Sequence, residues 1–378
     1  MIYLDNAATS YPKPAESLWR ALHRYLQLGA SPGRGGYDLA VEAEQAVSGV
    51  RRKLCRFFGA DEPYQLCFTY NATDALNLLI QGLLRAGDHV VSSRLEHNSV
   101  LRPLHHLQRQ GLISFDLVPF NPGGFIEPEE VAAAIRPNTR LVVLTHASNV
   151  LGTVQPAKEI GTVCRARGVP LLLDVSQSAG AVPIDLRGWG VQGIAFTGHK
   201  SLLAPTGIGG LVVGPELNPE PTRFGGSGMD SKSPYHTPEY PYRLEAGTIN
   251  LFGVLALDES LDYLEQTGAA SYEREMTLLK RLRDGLMQLS RVRLYCAEQL
   301  SNHLPVLTCT VEGHHSEDVS AILDGDFDIA IRAGLHCAPF VHQELGTLDK
   351  GAVRFSLGPF TTEPEIDATI EAMKAIAG

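Results

Sequence analysis

Short apolar runs that alternate with helical segments constrain the fold of this chain more than any other feature. The runs are rich in Val, Leu and Ile, end in turn residues, and lie at 66–69, 89–93, 140–146, 170–176, 193–199 and 209–214. Apolar residues spaced three and four apart predict helices at 15–28, 38–58, 73–85, 127–136 and 157–167. Strands that are apolar along their whole length are buried on both faces, so the sequence predicts an α/β fold with a mostly parallel, helix-covered sheet.

The pattern changes after residue 214. The stretch 215–247 is rich in Pro, Gly, Tyr and Ser and predicts a long irregular loop. Helical and strand patterns then follow in a different order, with helices at 255–266 and 270–290, sparser strands at 305–311, 328–332 and 351–356, and a last helix at 363–376. Chains longer than about 300 residues usually form more than one core. We therefore predict a large α/β domain over 15–249 and a small α+β domain made of 1–14 and 250–378.

Charge and cysteine content narrow the class of protein. The 378 residues carry 32 Lys and Arg against 42 Asp and Glu, a net charge of −10, which argues against nucleic acid or an anionic membrane as the main partner. No apolar run approaches the ~18 residues of a membrane span, and the first residues lack the basic and apolar regions of a secretion signal. Six cysteines without a C-x-x-C pair suit reduced thiols. We expect a cytoplasmic enzyme without a bound metal.

Two polar residues at strand ends suggest a cofactor. Asp174 ends the run at 170–176, and Lys200 follows His199 after the run at 193–199. Ligands of open α/β sheets bind beyond the carboxyl ends of the strands. Taken alone, Asp174 has the alternative of a helix cap or an ion pair, and Lys200 has the alternative of a surface lysine. Together they match the needs of pyridoxal phosphate (PLP), which takes an acidic partner for its ring nitrogen and a lysine for its aldehyde.

A phosphate site is predicted where the strand at 66–69 meets the next helix. Asn71, Ala72 and Thr73 lie at this helix start, where backbone N–H groups and a hydroxyl bind anions. A plain helix cap by Asn71 or Thr73 is the alternative. The absence of a glycine-rich fingerprint here weakens a nicotinamide interpretation. His97, after the run at 89–93, either stacks on a cofactor ring or is a solvated loop histidine.

Ten segments add a stronger signal, because they occur in this order in one protein family. They include YLDNAATSYPKP at 3–14, FTGHKSLLAPTGIGGL at 196–211 and RAGLHCAP at 332–339, and the others lie at 31–40, 96–103, 146–153, 171–180, 224–228, 245–250 and 353–358. In them the chain resembles the class V aminotransferase superfamily, and within it the cysteine desulfurases and selenocysteine lyases. The resemblance implies the fold of type I PLP enzymes, with a seven-stranded sheet in the large domain.

The resemblance also implies roles around the cofactor ring. Lys200 would bond covalently to PLP, Asp174 would pair with the ring nitrogen, and Gln177 would bind the phenolic oxygen. His97 would stack on the ring, and His97 and His199 would take part in catalysis beside Lys200. By the same resemblance, the phosphate would be held by Asn71, Ala72, Thr73, Thr197 and His199.

Further residues are implied at the substrate and at a neighbouring subunit. Asn149 and Arg354, with Arg332 nearby, would bind the substrate carboxylate, for which the planar guanidinium is suited. A buried Arg354 paired with a structural carboxylate is the alternative. Thr248 and the segment around Gly226 would reach the phosphate of a partner chain, so the resemblance implies a homodimer.

Cys337 discriminates between the possible activities. It lies in a turn-like segment beside His336, a setting that favours the nucleophilic thiolate, whereas the other cysteines are explained as small apolar residues. The resemblance implies that Cys337 takes sulfur from L-cysteine, leaving L-alanine and a persulfide, with L-selenocysteine as a second candidate substrate and an acceptor protein as a candidate partner. The alternatives are another class V aminotransferase, epimerase or lyase that does not use Cys337, and a scaffold without catalysis.

Three positions depart from the family pattern. Ala72 replaces a hydroxyl residue that relatives often carry at the phosphate. Leu335 and Tyr37 stand where the sulfur-mobilisation subgroup often has histidines, although the short segment around Cys337 fits that subgroup. The departures bear on the choice of substrate and not on the cofactor.

Overall fold

The computed structural model describes residues 1–33, 35–62, 64–229, 232–296 and 298–378. Arg34 of the segment 31–40, and Asp230 and Ser231 of the predicted loop, lie outside the described residues. The helices are α1 (Ala15–Leu28), α2 (Asp38–Phe57), α3 (Ala72–Leu83), α4 (Asn98–Arg109), α5 (Pro128–Ala134), α6 (Ala157–Ala166), α7 (Leu186–Trp189), α8 (Leu251–Leu286), α9 (Ser316–Phe327), α10 (Pro339–Leu345) and α11 (Glu363–Ala377).

The strands form three sheets. They are β1 (Ile2–Tyr3), β2 (Gln65–Thr69), β3 (Asp88–Ser93), β4 (Ile113–Val118), β5 (Thr139–Thr145), β6 (Leu171–Asp174), β7 (Gly193–Thr197), β8 (Gly209–Val213), β9 (Val292–Tyr295), β10 (Val306–Val311), β11 (Ile329–Ala330), β12 (Arg332–Gly334) and β13 (Ala352–Ser356). The largest sheet has the order β2-β8-β7-β6-β5-β3-β4, and the four-stranded sheet has the order β12-β13-β10-β9. The third pairs β1 with β11.

The seven-stranded sheet confirms the predicted mostly parallel architecture. Within the described residues, β8 runs antiparallel to β2 and β7, and the other neighbours are parallel. In β5, Val142 and Leu144 face one apolar cluster while Leu141 and Val143 face another. A strand with both faces buried explains its unbroken apolar run. Because β3, β5, β6 and β7 are parallel, their carboxyl ends meet at one edge of the sheet.

The helix α8 corrects the prediction of two helices at 255–266 and 270–290. It is continuous over 36 residues, through Gly268. A glycine inside a helix costs only about 1 kcal/mol, whereas the two ends of α8 are anchored in separate apolar clusters. The first part of α8 packs in the apolar cluster of the large sheet, through residues such as Leu251 and Leu261. The last part packs in the apolar cluster of the four-stranded sheet, through residues such as Leu278 and Leu286. The domain boundary at 249 and 250 stays a prediction, and we propose α8 as the connection between the domains.

The sequence did not predict several other helices and strands, among them α4, β4, α7, α9 and α10. Pro103 lies inside α4, where proline normally signals the end of a helix. Burial of Val100, Leu104 and Leu107 on one side of α4 offsets the missing hydrogen bond. Among the described helices, none is both long and apolar enough to cross a lipid bilayer.

Candidate active site

A cavity of about 280 Å³ opens at the carboxyl edge of the large sheet. Its wall is built from residues at the ends of β2, β3, β5, β6 and β7. Ten residues predicted from the sequence line it together: Asn71, Ala72, Thr73, His97, Asn149, Asp174, Gln177, Thr197, His199 and Lys200. The sheet topology thus brings into one cavity residues that lie far apart along the chain.

Lys200 and Asp174 both line the cavity, and the Asp174 carboxylate accepts hydrogen bonds there. Burial lowers the pKa of the Lys200 amine to about 8, even though the charge of Asp174 opposes this shift. A desolvated amine of this kind is partly neutral at physiological pH and therefore nucleophilic. The Asp174 carboxylate is buried, but its Oδ1 accepts hydrogen bonds from the backbone N–H of Ser176 at 2.9 Å and from its hydroxyl. These donors hold the Asp174 carboxylate in place at the cavity wall.

The N-terminal segment holds the turn that carries Lys200. The Lys13 ammonium donates to the carbonyl of His199 at 2.6 Å, and the backbone N–H of Ser10 donates to the same carbonyl at 3.1 Å. The Ser10 hydroxyl donates to the carbonyl of Lys200 at 2.9 Å. Sequence reasoning did not assign Ser10 or Lys13, although both belong to the segment 3–14, which was part of the family pattern.

The start of α3 lies at the cavity wall, where the sequence predicts the phosphate site. The Asn71 side chain caps the helix by accepting a hydrogen bond from the N–H of Asp74 at 2.9 Å, so this predicted alternative is present. The first N–H groups of any helix have no hydrogen-bond partner within the helix and can donate to an anion placed at its start. The Thr73 hydroxyl lies 2.7 Å from that of Ser99 at the same wall.

Two buried polar atoms in the cavity wall lack a partner among the described residues. They are the Thr197 hydroxyl and Nδ1 of His199. Unpaired buried polar atoms are costly and uncommon, so they indicate a ligand that would satisfy them. A phosphate between these atoms and the start of α3 would do so. Together with Lys200 and Asp174, the wall therefore fits PLP.

His97 is a neutral wall residue and not a solvated loop histidine. It precedes α4, and its Nδ1 accepts a hydrogen bond from the backbone N–H of Ser99 at 3.0 Å. This bond places the ring proton on Nε2, because a backbone N–H can only donate. Burial, followed by the charge of Lys200, lowers the pKa of His97 to about 4. An uncharged ring at the cavity suits stacking on an aromatic cofactor.

Glu96 is a residue at this site that sequence reasoning missed. Its Oε1 accepts hydrogen bonds from the Ser93 hydroxyl at 2.5 Å and from the N–H of Thr145 at 2.9 Å. It thereby ties the ends of β3 and β5 together just before His97. Burial raises the pKa of Glu96 to about 8, so the carboxyl is protonated at neutral pH. Its place directly before His97, at the start of the family-pattern segment 96–103, is the signal that could have drawn attention to it.

Arg354 lies beside a structural carboxylate, as the alternative prediction for this residue expected. It is almost fully buried on β13, and it donates to Asp5 Oδ1 at 2.8 Å and to the carbonyl of Asn149 at 2.9 Å. Its Nε has no partner among the described residues. The structural carboxylate of the alternative is thus Asp5, and the guanidinium keeps N–H groups for a ligand. Arg332 lies opposite Arg354 on β12 and is exposed.

Cys337 is exposed, unlike the other described cysteines. Its carbonyl accepts the N–H of Asn98 at 2.7 Å, which places the Cys337 turn beside the start of α4. Neither Cys337 nor Arg354 lines the cavity itself, but the charges of both act on Lys200. Burial raises the pKa of four other thiols to about 11 or 12, and these are Cys55, Cys164, Cys296 and Cys309.

Thr248 and Gly226 lie outside the cavity of their own chain. The N–H of Gly247 donates to the carbonyl of Gly226 at 2.8 Å, so the two predicted segments adjoin each other. Thr248 instead lines a separate pocket with Tyr70 and Arg223. Within one chain, these residues are not brought to the phosphate site.

Comparisons with known proteins identify the family of the chain. The family model for aminotransferase class-V matches residues 2–369. A probable cysteine desulfurase of Methanothermobacter thermautotrophicus is 32% identical over 100% of this chain and 95% of that protein. The cysteine desulfurase IscS of Cronobacter sakazakii is 32% identical over 100% of this chain and 93% of that protein. The apo structure of cysteine desulfurase from Thermococcus onnurineus NA1 superimposes with a TM-score of 0.92 at 32% identity, covering 100% and 94% of the two chains.

Proposed function

This chain belongs to the aminotransferase class-V family, in the group of the cysteine desulfurases, and we propose that it converts L-cysteine to L-alanine with Cys337 as the sulfur-accepting residue. The family match confirms the resemblance predicted from the sequence. One observation carries the assignment of Cys337. It is the described cysteine that is exposed, in a turn held against the wall of the cavity that contains Lys200.

Enzymes of this family use PLP, and the cavity residues would hold it. Lys200 would bond to it, Asp174 would face the ring nitrogen and His97 the ring. Gln177, whose amide donates to the carbonyl of Ala7 at 3.0 Å, would meet the phenolic oxygen. The phosphate contacts would come from the start of α3, Thr73, Thr197 and His199. When bound, the cofactor supplies an electron sink that labilises bonds at the substrate carbon next to the amine.

The chain's own residues would then position the substrate and move protons and sulfur. Arg354 binds the carboxylate, and the Lys200 amine, with its pKa of about 8, exchanges the proton at the substrate's α carbon. The Cys337 thiolate attacks the substrate sulfur. The carbon–sulfur bond of cysteine breaks and a sulfur–sulfur bond forms on Cys337. One L-cysteine and one thiol thus give one L-alanine and one persulfide, without an external oxidant or reductant.

A single turnover tests this stoichiometry. The PLP-loaded protein, mixed with less than one equivalent of L-cysteine and no reductant, is expected to release one alanine per cysteine. The peptide that contains Cys337 should gain the mass of one sulfur atom. Alanine without a sulfur on Cys337, or a keto acid in place of alanine, would instead favour another class V reaction.

Arg354→Lys is expected to raise KM for L-cysteine by about ten- to hundredfold. Lysine keeps the positive charge but cannot form the two parallel hydrogen bonds of a guanidinium, and a charge-assisted bond contributes about 1.5–3 kcal/mol. Steady-state kinetics measure the effect, with Asp5→Asn as the matched control that removes the structural partner and keeps the arginine. A KM for Arg354→Lys that equals that of wild type would show that Arg354 serves only the pair with Asp5.

A homodimer with shared sites is also part of this proposal. Several large apolar side chains are exposed on one chain, and a second copy would cover them: Trp19, Leu26, Phe224 and Tyr235. Thr248 and the segment around Gly226 would then reach the partner's phosphate.

Mixed dimers test the shared site. Chains carrying Lys200→Ala and chains carrying Thr248→Glu are each expected to be nearly inactive alone. Unfolded and refolded together, they should regain activity, because a mixed dimer holds one site with both native residues. Sedimentation at twice the chain mass is the accompanying expectation. A mixture no more active than its components, or an active monomer, would contradict shared sites.

Unloading of the persulfide needs a thiol or an acceptor protein, and Cys337 is exposed to either. Exposed Leu335, beside it, offers an apolar contact to such an acceptor.

We place the protein in the cytoplasm. The six cysteines of the chain lie in its described part and are all free thiols, the state that cytosolic reductants maintain.

A further inference from the structure

Three buried side chains form a hydrogen-bonded row behind Cys337. Nδ1 of His336 lies 3.1 Å from Nε2 of His342, and Nδ1 of His342 lies 2.8 Å from the Thr347 hydroxyl. At the other end, Nε2 of His336 lies 3.4 Å from the carbonyl of Arg332. All three side chains are less than one tenth exposed. His342 is on α10, and Thr347 follows the end of that helix, so the row ties the Cys337 turn to α10.

The direction of the row follows from its ends. The Arg332 carbonyl can only accept, so Nε2 of His336 donates and its Nδ1 accepts. Nε2 of His342 must then donate to His336, which leaves Nδ1 of His342 as an acceptor for the Thr347 hydroxyl proton at 2.8 Å. The same hydroxyl lies 3.4 Å from the backbone carbonyl of His342, which is the more distant acceptor. In this arrangement every donor faces an acceptor. The reverse direction would set a nitrogen lone pair of His336 against the Arg332 carbonyl.

The backbone at this turn needs such support. His336 has φ 50° and Cys337 has φ 58°, both in the left-handed region that side chains with a Cβ rarely adopt. Conformations of this kind persist only where the surroundings hold them. Two backbone anchors are present, because Asn149 Nδ2 donates to the carbonyl of His336 at 2.7 Å and Asn98 N–H donates to that of Cys337 at 2.7 Å. The row of histidines is a side-chain anchor of His336, the residue directly before Cys337.

We propose that His342 and Thr347 are positioning residues, which hold His336 and through it keep the Cys337 thiol presented to the active-site cavity. The inference rests on the proposed role of Cys337 as sulfur acceptor. Burial lowers the pKa of His342 to about 4 and that of His336 well below its usual range. Both rings are therefore neutral at physiological pH, as the direction of the row requires.

Paired substitutions separate hydrogen bonding from shape. Thr347→Val keeps the shape of threonine and removes the donor, whereas Thr347→Ser keeps the donor. His342→Phe removes both ring nitrogens, whereas His342→Gln retains a donor at the end of the side chain. The holoenzyme of each variant is assayed for sulfur transfer to Cys337, for KM of L-cysteine, and for amide hydrogen exchange of residues 335–338.

Loss of a donor is expected to slow sulfur transfer about tenfold in Thr347→Val and in His342→Phe, because each leaves a buried acceptor unpaired. KM should stay within about twofold and exchange of 335–338 should quicken about tenfold. In Thr347→Ser and His342→Gln, the sulfur-transfer rate and the exchange rate of 335–338 should both stay within about threefold of wild type. Should His342→Phe fail to fold, the two Thr347 variants decide the question.

The proposal is overturned if Thr347→Val transfers sulfur to Cys337 as fast as wild type. It is also overturned if Thr347→Val and Thr347→Ser slow sulfur transfer by the same factor, since a change of shape and not of hydrogen bonding would then explain the loss. Failure of the proposed function has a different signature. If wild type forms no persulfide on Cys337, the exchange data still decide: faster exchange at 335–338 in Thr347→Val but not in Thr347→Ser supports positioning, and unchanged exchange refutes it.

Discussion

Cys337→Ala is expected to abolish the release of L-alanine from L-cysteine, with a loss in kcat of about 10³-fold or more. Removal of a nucleophile leaves only the catalysis that binding and the surrounding dipoles provide. Cys337 does not line the cofactor cavity, so the variant should hold PLP as wild type does. The measurement is alanine formed in the presence of a thiol reductant, with cofactor absorbance recorded on the same samples.

The matched control is Cys296→Ala. Cys296 is also incompletely buried, but burial raises the pKa of its thiol to about 11, so it holds little thiolate at neutral pH. The control should release alanine at the wild-type rate. Full activity of Cys337→Ala would refute sulfur transfer through this residue and would point to a class V aminotransferase, epimerase or lyase.

Lys200→Ala is expected to lose the covalently held cofactor and at least about 10³-fold in kcat. The variant lacks the amine that we propose both bonds to PLP and exchanges the substrate proton. Asp174, His97 and the anion site remain, so weak, dialysable binding of PLP should persist. Absorbance of the bound cofactor before and after dialysis measures the effect. Lys158→Ala, at an exposed lysine of α6, is the control and should behave as wild type.

The pH dependence of cofactor capture tests the environment of Lys200. Only the neutral amine attacks the aldehyde of PLP, and burial lowers the pKa of this amine to about 8. The capture rate of the cofactor-free protein should therefore rise about tenfold per pH unit up to roughly pH 8 and then level off. A rate that keeps rising toward pH 10, near the ordinary lysine pKa, would contradict a desolvated Lys200.

Much of the large sheet could be predicted because its signals are local. The runs at 140–146 and 170–176 are apolar along their length, since β5 and β6 are covered on both sides. The elements that were missed lack such signals. Pro103 lies inside α4, and a proline in the sequence normally predicts the end of a helix. The strands β9 and β4 are partly exposed, so their sequences contain no continuous apolar run.

Some residues of the candidate site could likewise be predicted from local signals, whereas their contacts with distant segments could not. Asp174 and Lys200 could be identified because a residue at the end of a buried strand lies at the ligand-binding edge whatever the details of packing. The pairing of Arg354 with Asp5 could not be predicted, because β13 brings together residues separated by 349 positions. The family pattern named Cys337, but only the structure shows how His342 and Thr347 reach the turn that carries it.

By itself, the sequence determined the α/β class and the helix-covered parallel sheet, and its family resemblance named the residues proposed to serve PLP and sulfur transfer. The tertiary structure decided the protonation states and the supports of these residues. Burial lowers the pKa of Lys200, keeps His97 neutral and raises the pKa of Glu96. The physical reason is that strand-forming patterns depend on neighbours in the chain, whereas desolvation and hydrogen bonding depend on which distant segments pack around a side chain.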